Sequence, residues 1–340
     1  MKAAVLNGPK DLKITEVKKP DMGHGEVLVR IEACGICTLE QRLFSGDQKI
    51  FYPIVAGHEA SGTIEAVHEK ALTSLKPGNR VALDLLNRCG ACYYCRIGAD
   101  HLCENRFKPG QNLMGGFGEY ISIPASQAFL ISDELSYEEA ALTEPLSTCL
   151  HSFEEARVIK GETVVIIGAG TMGLLHLILS RVEGNSAIVC DLEDKRLQKA
   201  NTLGADKTIN PVTEDAVGAV LGVTGKRGAD VVILTASGKE AFKLAMSVLR
   251  PGGRIVLFAK GNKEFEVRIE PNELHSKEIS LIGVQGRTSA QFHKAVSLLN
   301  GKKIDISPVI SEKVSLNDIN SGMARALDQS TYRVLVTRNI

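Results

Sequence analysis

Four of the eight cysteines lie on one short stretch, RCGACYYCRIGADHLC, which places Cys89, Cys92, Cys95 and Cys103 at C-x2-C-x2-C-x7-C. Four thiolates from one loop can close a tetrahedron around zinc. The bacterial iron–sulfur spacing ends in x3 followed by Pro, so the x7 gap speaks against a cluster. Four sulfurs leave no open coordination position. The lobe, residues 86–107, is therefore expected to staple a loop and do no chemistry itself. A zinc that does chemistry needs three protein ligands and one open position. Donors of the right types occur in ACGIC (Cys34 and Cys37), in AGHEASG (His58 and Glu59) and in TEPLSTC, where Glu144 precedes Pro145. Cys37, His58 and one of the two glutamates would form a mixed sulfur, nitrogen and oxygen set suited to zinc. A lone Cys and a lone His-Glu pair are as readily structural, so spacing alone leaves this site open.

A second kind of chemistry is written in GAGTMG, residues 168–173, which fits G-x-G-x-x-G. It follows an apolar run, TVVIIG, and opens a helix-like one. Gly168 allows the tight turn, Gly170 lets a pyrophosphate approach the backbone, and Gly173 lets helix and strand pack closely. With Thr171 and Met172 at the helix start, free N–H groups face the phosphates. Asp191 stands 23 residues after Gly168, where a carboxylate would accept hydrogen bonds from ribose hydroxyls and repel a 2′-phosphate. NAD is therefore expected over NADP. The neighbouring Lys195 and Arg196 work against that preference, and Arg196 is counted with the cofactor site.

The elements that must position these groups fall into two kinds. The first third is rich in short β-type runs (27–33, 61–67, 80–83, 119–123) separated by Gly and Pro, which predicts an irregular, mostly antiparallel β domain. From about residue 150, strand and helix patterns alternate: strands at 163–168, 186–191, 230–236, 253–259 and 279–284, with helices at 172–182, 193–204 and 239–249. These strands are continuous apolar runs, as expected of a doubly wound parallel sheet covered on both faces. A helix at 289–301, a Pro-containing connection, a helix near 316–327 and a last strand at 332–336 follow.

Lys+Arg and Asp+Glu are both 40, so the chain has no global charge with which to grip nucleic acid or an anionic membrane. Residues 163–180 carry no Asp, Glu, Lys or Arg, but three glycines and a His read better as a buried strand, turn and helix than as a membrane span. The N-terminus lacks an apolar signal core, and a cytoplasmic protein is expected.

In order, GIC (35–37), GHE (57–59), the four-cysteine lobe, GGFGEY (115–120), EPLS (144–147) and GAGTMG (168–173) resemble the zinc-containing medium-chain dehydrogenase/reductase family over essentially the whole chain. EPLS looks most like the sorbitol/polyol, butanediol and threonine dehydrogenase branch. The resemblance implies an α/β chain with two domains. A GroES-like β-rich catalytic domain would span 1–147 and 287–340, and a doubly wound Rossmann NAD-binding domain 148–286. It implies two zinc ions per chain, one catalytic and one structural. It also implies a secondary alcohol oxidised to a ketone by hydride transfer to NAD, the catalytic zinc polarising the alcohol oxygen. The implied substrate is a small polyol, sugar alcohol or sugar acid, and the implied assembly a homodimer or homotetramer joined through the 279–284 strand.

Carried over by position, Cys37 and His58 match catalytic zinc ligands. Glu59 matches the acid that is a ligand in polyol dehydrogenases, and Glu144 matches a second acid, acting directly or through water. Thr148 falls where the family packs a side chain on the nicotinamide. Glu40 stands where relatives have Asp and would orient the His58 ring. Cys34, Cys149 and Cys190 read as ordinary interior cysteines.

The chain departs from the pattern at Leu39, where many relatives have the hydroxyl that passes the substrate proton, and at Arg42, where others have a relay His. That leaves Thr38, a water held by Glu144, or a same-fold protein whose main business is another carbonyl or enone, or nucleotide sensing. Arg287 matches an Arg near substrate or cofactor in relatives; a plain surface Arg is the alternative.

Overall fold

The computed structural model describes residues 1–48, 50–106, 114–261, 265–328 and 330–338, so residue 107, the expected end of the lobe, lies outside the described residues. The chain divides into two compact units, Met1–Ser147 with Arg287–Ile340, and Thr148–Gly286.

The first unit is built around the strand Glu26–Ile36, whose EVLVRIEACGI sequence is buried along nearly its whole length because it is paired on both sides. Among the described residues its main sheet has seven strands. The order is Ile310–Ser315, Arg333–Thr337, Glu26–Ile36, Glu59–Val67, Arg80–Asp84 and Ala128–Leu130, with Tyr120–Pro124 also paired to Glu26–Ile36. All pairings are antiparallel except that of Ile310–Ser315 with Arg333–Thr337. The Pro-containing connection expected before the last strand thus contains an edge strand, whose ISEKVS sequence is too polar to announce itself. Ile36, Leu43, Ile64, Phe117 and Ile123 fill the core.

Register does the positioning. Gly35 lies opposite Glu59, Glu59 opposite Asp84, and Ile36 opposite Val334. One end of the sheet therefore gathers Cys37, His58, Glu59, Asp84 and Arg333 from four strands.

Among the described residues the second unit has a six-stranded sheet with every pairing parallel. Its order is Lys207–Ile209, Ser186–Cys190, Thr163–Ile167, Ala229–Leu234, Leu249–Leu257 and Ser280–Gly283. Numbered within the unit this is 3-2-1-4-5-6, the doubly wound order with its switch point beside Thr163–Ile167. The 163–180 run divides into that strand and the helix Thr171–Val182. No helix among the described residues is long and apolar enough to cross a membrane.

His176, on that helix, is fully buried against Phe153 and Phe258, with Nε2 2.7 Å from Ser152 Oγ and Nδ1 2.7 Å from the Met172 carbonyl. Burial pushes its pKa down to about 4. The unfolded chain takes up a proton near pH 6.5, and the folded chain only near pH 4. Stability should therefore fall as pH drops through this window, by about 2 kcal/mol between pH 7 and pH 5 from this group. In urea titrations at those two pH values His176→Gln should lose less stability than the parent. Equal losses would contradict this.

Candidate functional site

Cys37 follows the strand Glu26–Ile36 and is the N-cap of the helix Thr38–Ser45. Its sulfur accepts from Leu39 N at 3.1 Å. Glu40, three residues into the helix, returns Oε2 to Cys37 N at 3.1 Å and completes a capping box. The other oxygen, Oε1, lies 2.6 Å from His58 Nδ1. Glu40 thus orients the ring, with its extra methylene over Asp used to span both partners. With Nδ1 engaged, His58 turns Nε2 toward Cys37 Sγ, 3.7 Å away. Ligands at about 2.0–2.3 Å on a tetrahedral zinc would stand roughly 3.5 Å apart. Cys37, His58 and Glu59 each offer one donor atom, and all three atoms lie within 4.8 Å of one another.

Glu59 is 1% exposed. Its Oε1 is held by Arg333 Nη2 at 2.9 Å, while Oε2 is buried with no hydrogen-bond partner among the described residues. A buried carboxylate with one oxygen left without a hydrogen bond, grouped with a thiol and an imidazole, is what a divalent cation would satisfy. Gly35 leaves room for this carboxylate, because a Cβ at that position would overlap Glu59 Oε2 as it is placed. Burial, offset by Arg333 and reinforced by the Glu144 charge, pushes the Glu59 carboxyl up to about 7. Burial and Glu40 push the Cys37 thiol up to about 12, against the pull of His58. Burial opposes a charge on His58, yet Glu40 and Cys37 hold its pKa well above the ordinary value. A bound cation would reverse these balances in favour of thiolate and neutral imidazole.

Glu144 was expected as a ligand, direct or through water. It is not in the three-donor group: Oε1 pairs with Arg287 Nη1 at 2.8 Å. Arg287 is 4% exposed and bridges Glu144 to Asp84 Oδ1, 2.7 Å from its Nη2, so it is not a surface arginine. Leu39 packs against the apolar core, while Thr38 is exposed at the helix start. Cys34, Cys149 and Cys190 are buried interior residues. Sequence reasoning missed Arg333 and Asp84.

In the lobe, the Cys89, Cys92, Cys95 and Cys103 sulfurs also lie within 4.8 Å of one another. Backbone N–H groups donate to them: Cys92 N to Cys89 Sγ at 3.3 Å, and Cys89 N and Asn105 N to Cys103 Sγ at 3.3 and 3.4 Å. Hydrogen bonds from Ala91 and Cys92 lower the Cys89 thiol to about 6. Four converging sulfurs, with backbone donors favouring thiolate, suit zinc.

In the second unit Gly168 has φ 108°, and a Cβ on Gly173 would overlap the Gly168 carbonyl oxygen. A Cβ on Gly170 would meet nothing within 4 Å, so the space over the loop is open where a pyrophosphate would lie. Thr171 and Met172 begin the helix. Asp191 follows the strand Ser186–Cys190; its Oδ2 accepts from Ala169 N at 2.6 Å and its Oδ1 from Glu193 N at 2.9 Å. Arg196 Nη1 is 3.7 Å from Asp191 Oδ2. Thr148 lies on the helix Thr143–Glu155.

Residues 23–133 match the model of the alcohol dehydrogenase GroES-like domain, and residues 161–301 match that of the zinc-binding dehydrogenases. The sorbitol dehydrogenase of Bacillus subtilis (strain 168) is 32% identical over 333 residues, covering 96% of this chain and 94% of its own. The chain belongs to the zinc-containing medium-chain dehydrogenase family. Solved members of similar fold carry either nicotinamide cofactor. A protein of Sinorhizobium meliloti 1021, named as a zinc-binding dehydrogenase and bound to NADP, aligns with TM-score 0.92 at 30% identity over 99% of this chain and 98% of its own. A protein of E. coli CFT073, named as a short chain alcohol dehydrogenase and complexed with NADH, aligns with TM-score 0.90 at 29% identity over 99% of each chain. As a family member the chain is an oxidoreductase with a GroES-like domain and a Rossmann-like parallel sheet.

Proposed function

We propose that this protein is a zinc- and NAD-dependent dehydrogenase that oxidises a secondary alcohol of a polyol, sugar alcohol or sugar acid to a ketone. The observation that carries the reading is the convergence of Cys37, His58 and Glu59, with the buried Glu59 Oε2 lacking a hydrogen-bond partner among the described residues. Zinc held there would polarise an alcohol oxygen and lower its pKa. Glu40 keeps His58 in one orientation and tautomer. Arg333 holds Glu59 by one oxygen and leaves the other for the metal. Glu144, buried and paired with Arg287, is the group we assign to accept the substrate proton through water, in place of the relay hydroxyl that Leu39 lacks; exposed Thr38 is the other candidate for that proton. A second zinc would sit in the cysteine lobe.

NAD is the proposed cofactor because the Asp191 carboxylate is fixed at the end of the second strand, where it would repel a 2′-phosphate. Gly168, Gly170, Thr171, Met172 and Gly173 would cradle the pyrophosphate, Arg196 would flank the ribose through Asp191, and Thr148 would pack on the nicotinamide. The non-alcohol and nucleotide-sensing readings rest on Leu39, which is partly buried and packs against the core, a structural use of its own. A homodimer or homotetramer through Ser280–Gly283 is part of the proposal, since that strand is an edge of the sheet among the described residues.

The test is reduction of NAD or NADP with a panel of polyols, sugar alcohols and sugar acids. We expect turnover of at least one secondary alcohol, with NAD favoured by about 100-fold or more, and Asp191→Ser relaxing that preference. No turnover across the panel would overturn the substrate reading, and a preference for NADP the cofactor one.

A further inference from the structure

Arg88 immediately precedes the first cysteine of the lobe, and its guanidinium makes three different attachments. Nη1 lies 2.6 Å from Asp84 Oδ2, Nε lies 3.1 Å from Asp100 Oδ2, and Nη2 donates to the Arg287 carbonyl at 3.2 Å. Asp100 lies inside the lobe, between Cys95 and Cys103, and its Oδ2 also accepts from Ser289 N at 3.3 Å. From Asp84 the line continues through Arg287 Nη2 at 2.7 Å, and Arg287 Nη1 ends on Glu144 Oε1 at 2.8 Å. Charges therefore alternate without a break from the cysteine lobe to the glutamate beside the three-donor group: Asp100, Arg88, Asp84, Arg287, Glu144. Asp84 and Arg287 are buried, and apolar residues of similar volume would often be as stable in such places. The chain of pairs supplies geometry. Arg88 donates hydrogen bonds to Asp84 and to the Arg287 carbonyl from two nitrogens of one plane, which a lysine cannot copy, while its contact with Asp100 is an ion pair in which Nε makes no hydrogen bond.

We propose that Arg88 is a positioning residue for the reaction, coupling the folded, metal-holding state of the cysteine lobe to the placement of Glu144. Without Arg88, Asp84 is left with Arg287 alone. The Arg287 fork must then serve Asp84 and Glu144 with nothing drawing Asp84 the other way, and its main chain loses a donor. The lobe on this account acts on the centre as well as stapling its own loop. The inference rests on the reading that Cys37, His58 and Glu59 hold a metal next to Glu144.

The test is a double-mutant cycle of Arg88→Lys with Glu144→Gln, read in two ways. One readout is kcat/KM. The other is the visible spectrum of protein carrying cobalt at the Cys37 group and zinc in the lobe, which reports the surroundings of that group whether or not a substrate is known. We expect Arg88→Lys to shift the cobalt bands and to lower kcat/KM by about 10-fold or more in the parent. In the Glu144→Gln background it should do neither, because the residue through which it acts is already gone. Equal effects in both backgrounds, or an unshifted spectrum, would overturn the proposal. If Arg88→Lys fails to fold or load metal, Asp100→Asn cuts the same line at its lobe end, with the same two outcomes. Cobalt bands in the parent that survive Cys37→Ser would instead overturn the metal-site reading, and this inference with it.

Discussion

At pH 9, where Glu59 is ionised, Arg333→Met should destabilise the protein by about 3 kcal/mol, because the buried carboxylate loses its partner. Arg333 and Glu59 are 5% and 1% exposed and meet at 2.9 Å, while Arg333 Nη1 also donates to the Ile36 carbonyl at 3.0 Å. Burial already pushes the Glu59 carboxyl up to about 7 with Arg333 in place. Without Arg333 the carboxyl should rise further, so the loss should be smaller at acidic pH, where Glu59 takes up a proton. Urea unfolding of parent, Arg333→Met and the Arg333→Met/Glu59→Gln double variant would measure this. The double variant should recover most of the loss, because it removes the orphaned charge. A loss below about 1 kcal/mol in the single variant, or no recovery in the double, would show that Arg333 does not neutralise Glu59.

Glu40→Gln should weaken zinc at the Cys37 group by about 10- to 100-fold while leaving the helix Thr38–Ser45 formed. Gln can still close a capping box from the third helical position, so the bond to Cys37 N survives. The charge against His58 Nδ1 at 2.6 Å is lost, and with it part of the basicity of Nε2. Glu40→Ala should lose both functions and add about 1 kcal/mol of capping energy. Zinc competition against a chelator, with circular dichroism as the control for the helix, separates the two variants. Unchanged zinc affinity in Glu40→Gln would mean that His58 is oriented by something else.

What could be read from the sequence was local. The glycine fingerprint is readable because each glycine answers to a neighbour a few residues away: Gly173 lies against the Gly168 carbonyl, and Gly168 turns at φ 108°. The cysteine lobe is readable because one short loop supplies all four sulfurs. The buried parallel strands are readable as unbroken apolar runs.

What could not be read depends on register. Arg333 lies 274 residues from Glu59 in sequence and meets it because the last strand pairs with Glu26–Ile36. Asp84 reaches Arg287 across 203 residues. Neither carries a local pattern, and Arg287 could not be told from a surface arginine. The two glutamates were equivalent donors by composition, and the register of Gly35 against Glu59 separates them. One signal was available: a glycine inside an apolar strand marks a place where another group approaches closely, and Gly35 is such a glycine. The helix after Cys37 was also unannounced, because cysteine is an uncommon cap and TLEQRLFS is short.

The central claim is that the protein holds two metal ions, one proposed at Cys37, His58 and Glu59 and one proposed in the lobe. The most direct measurement is zinc per chain by elemental analysis, parent against Cys37→Ser, both folded and freshly purified without chelator. The account predicts two zinc ions in the parent, one for each donor group, and one in the variant. One zinc in both would leave only the cysteine lobe occupied and would contradict it.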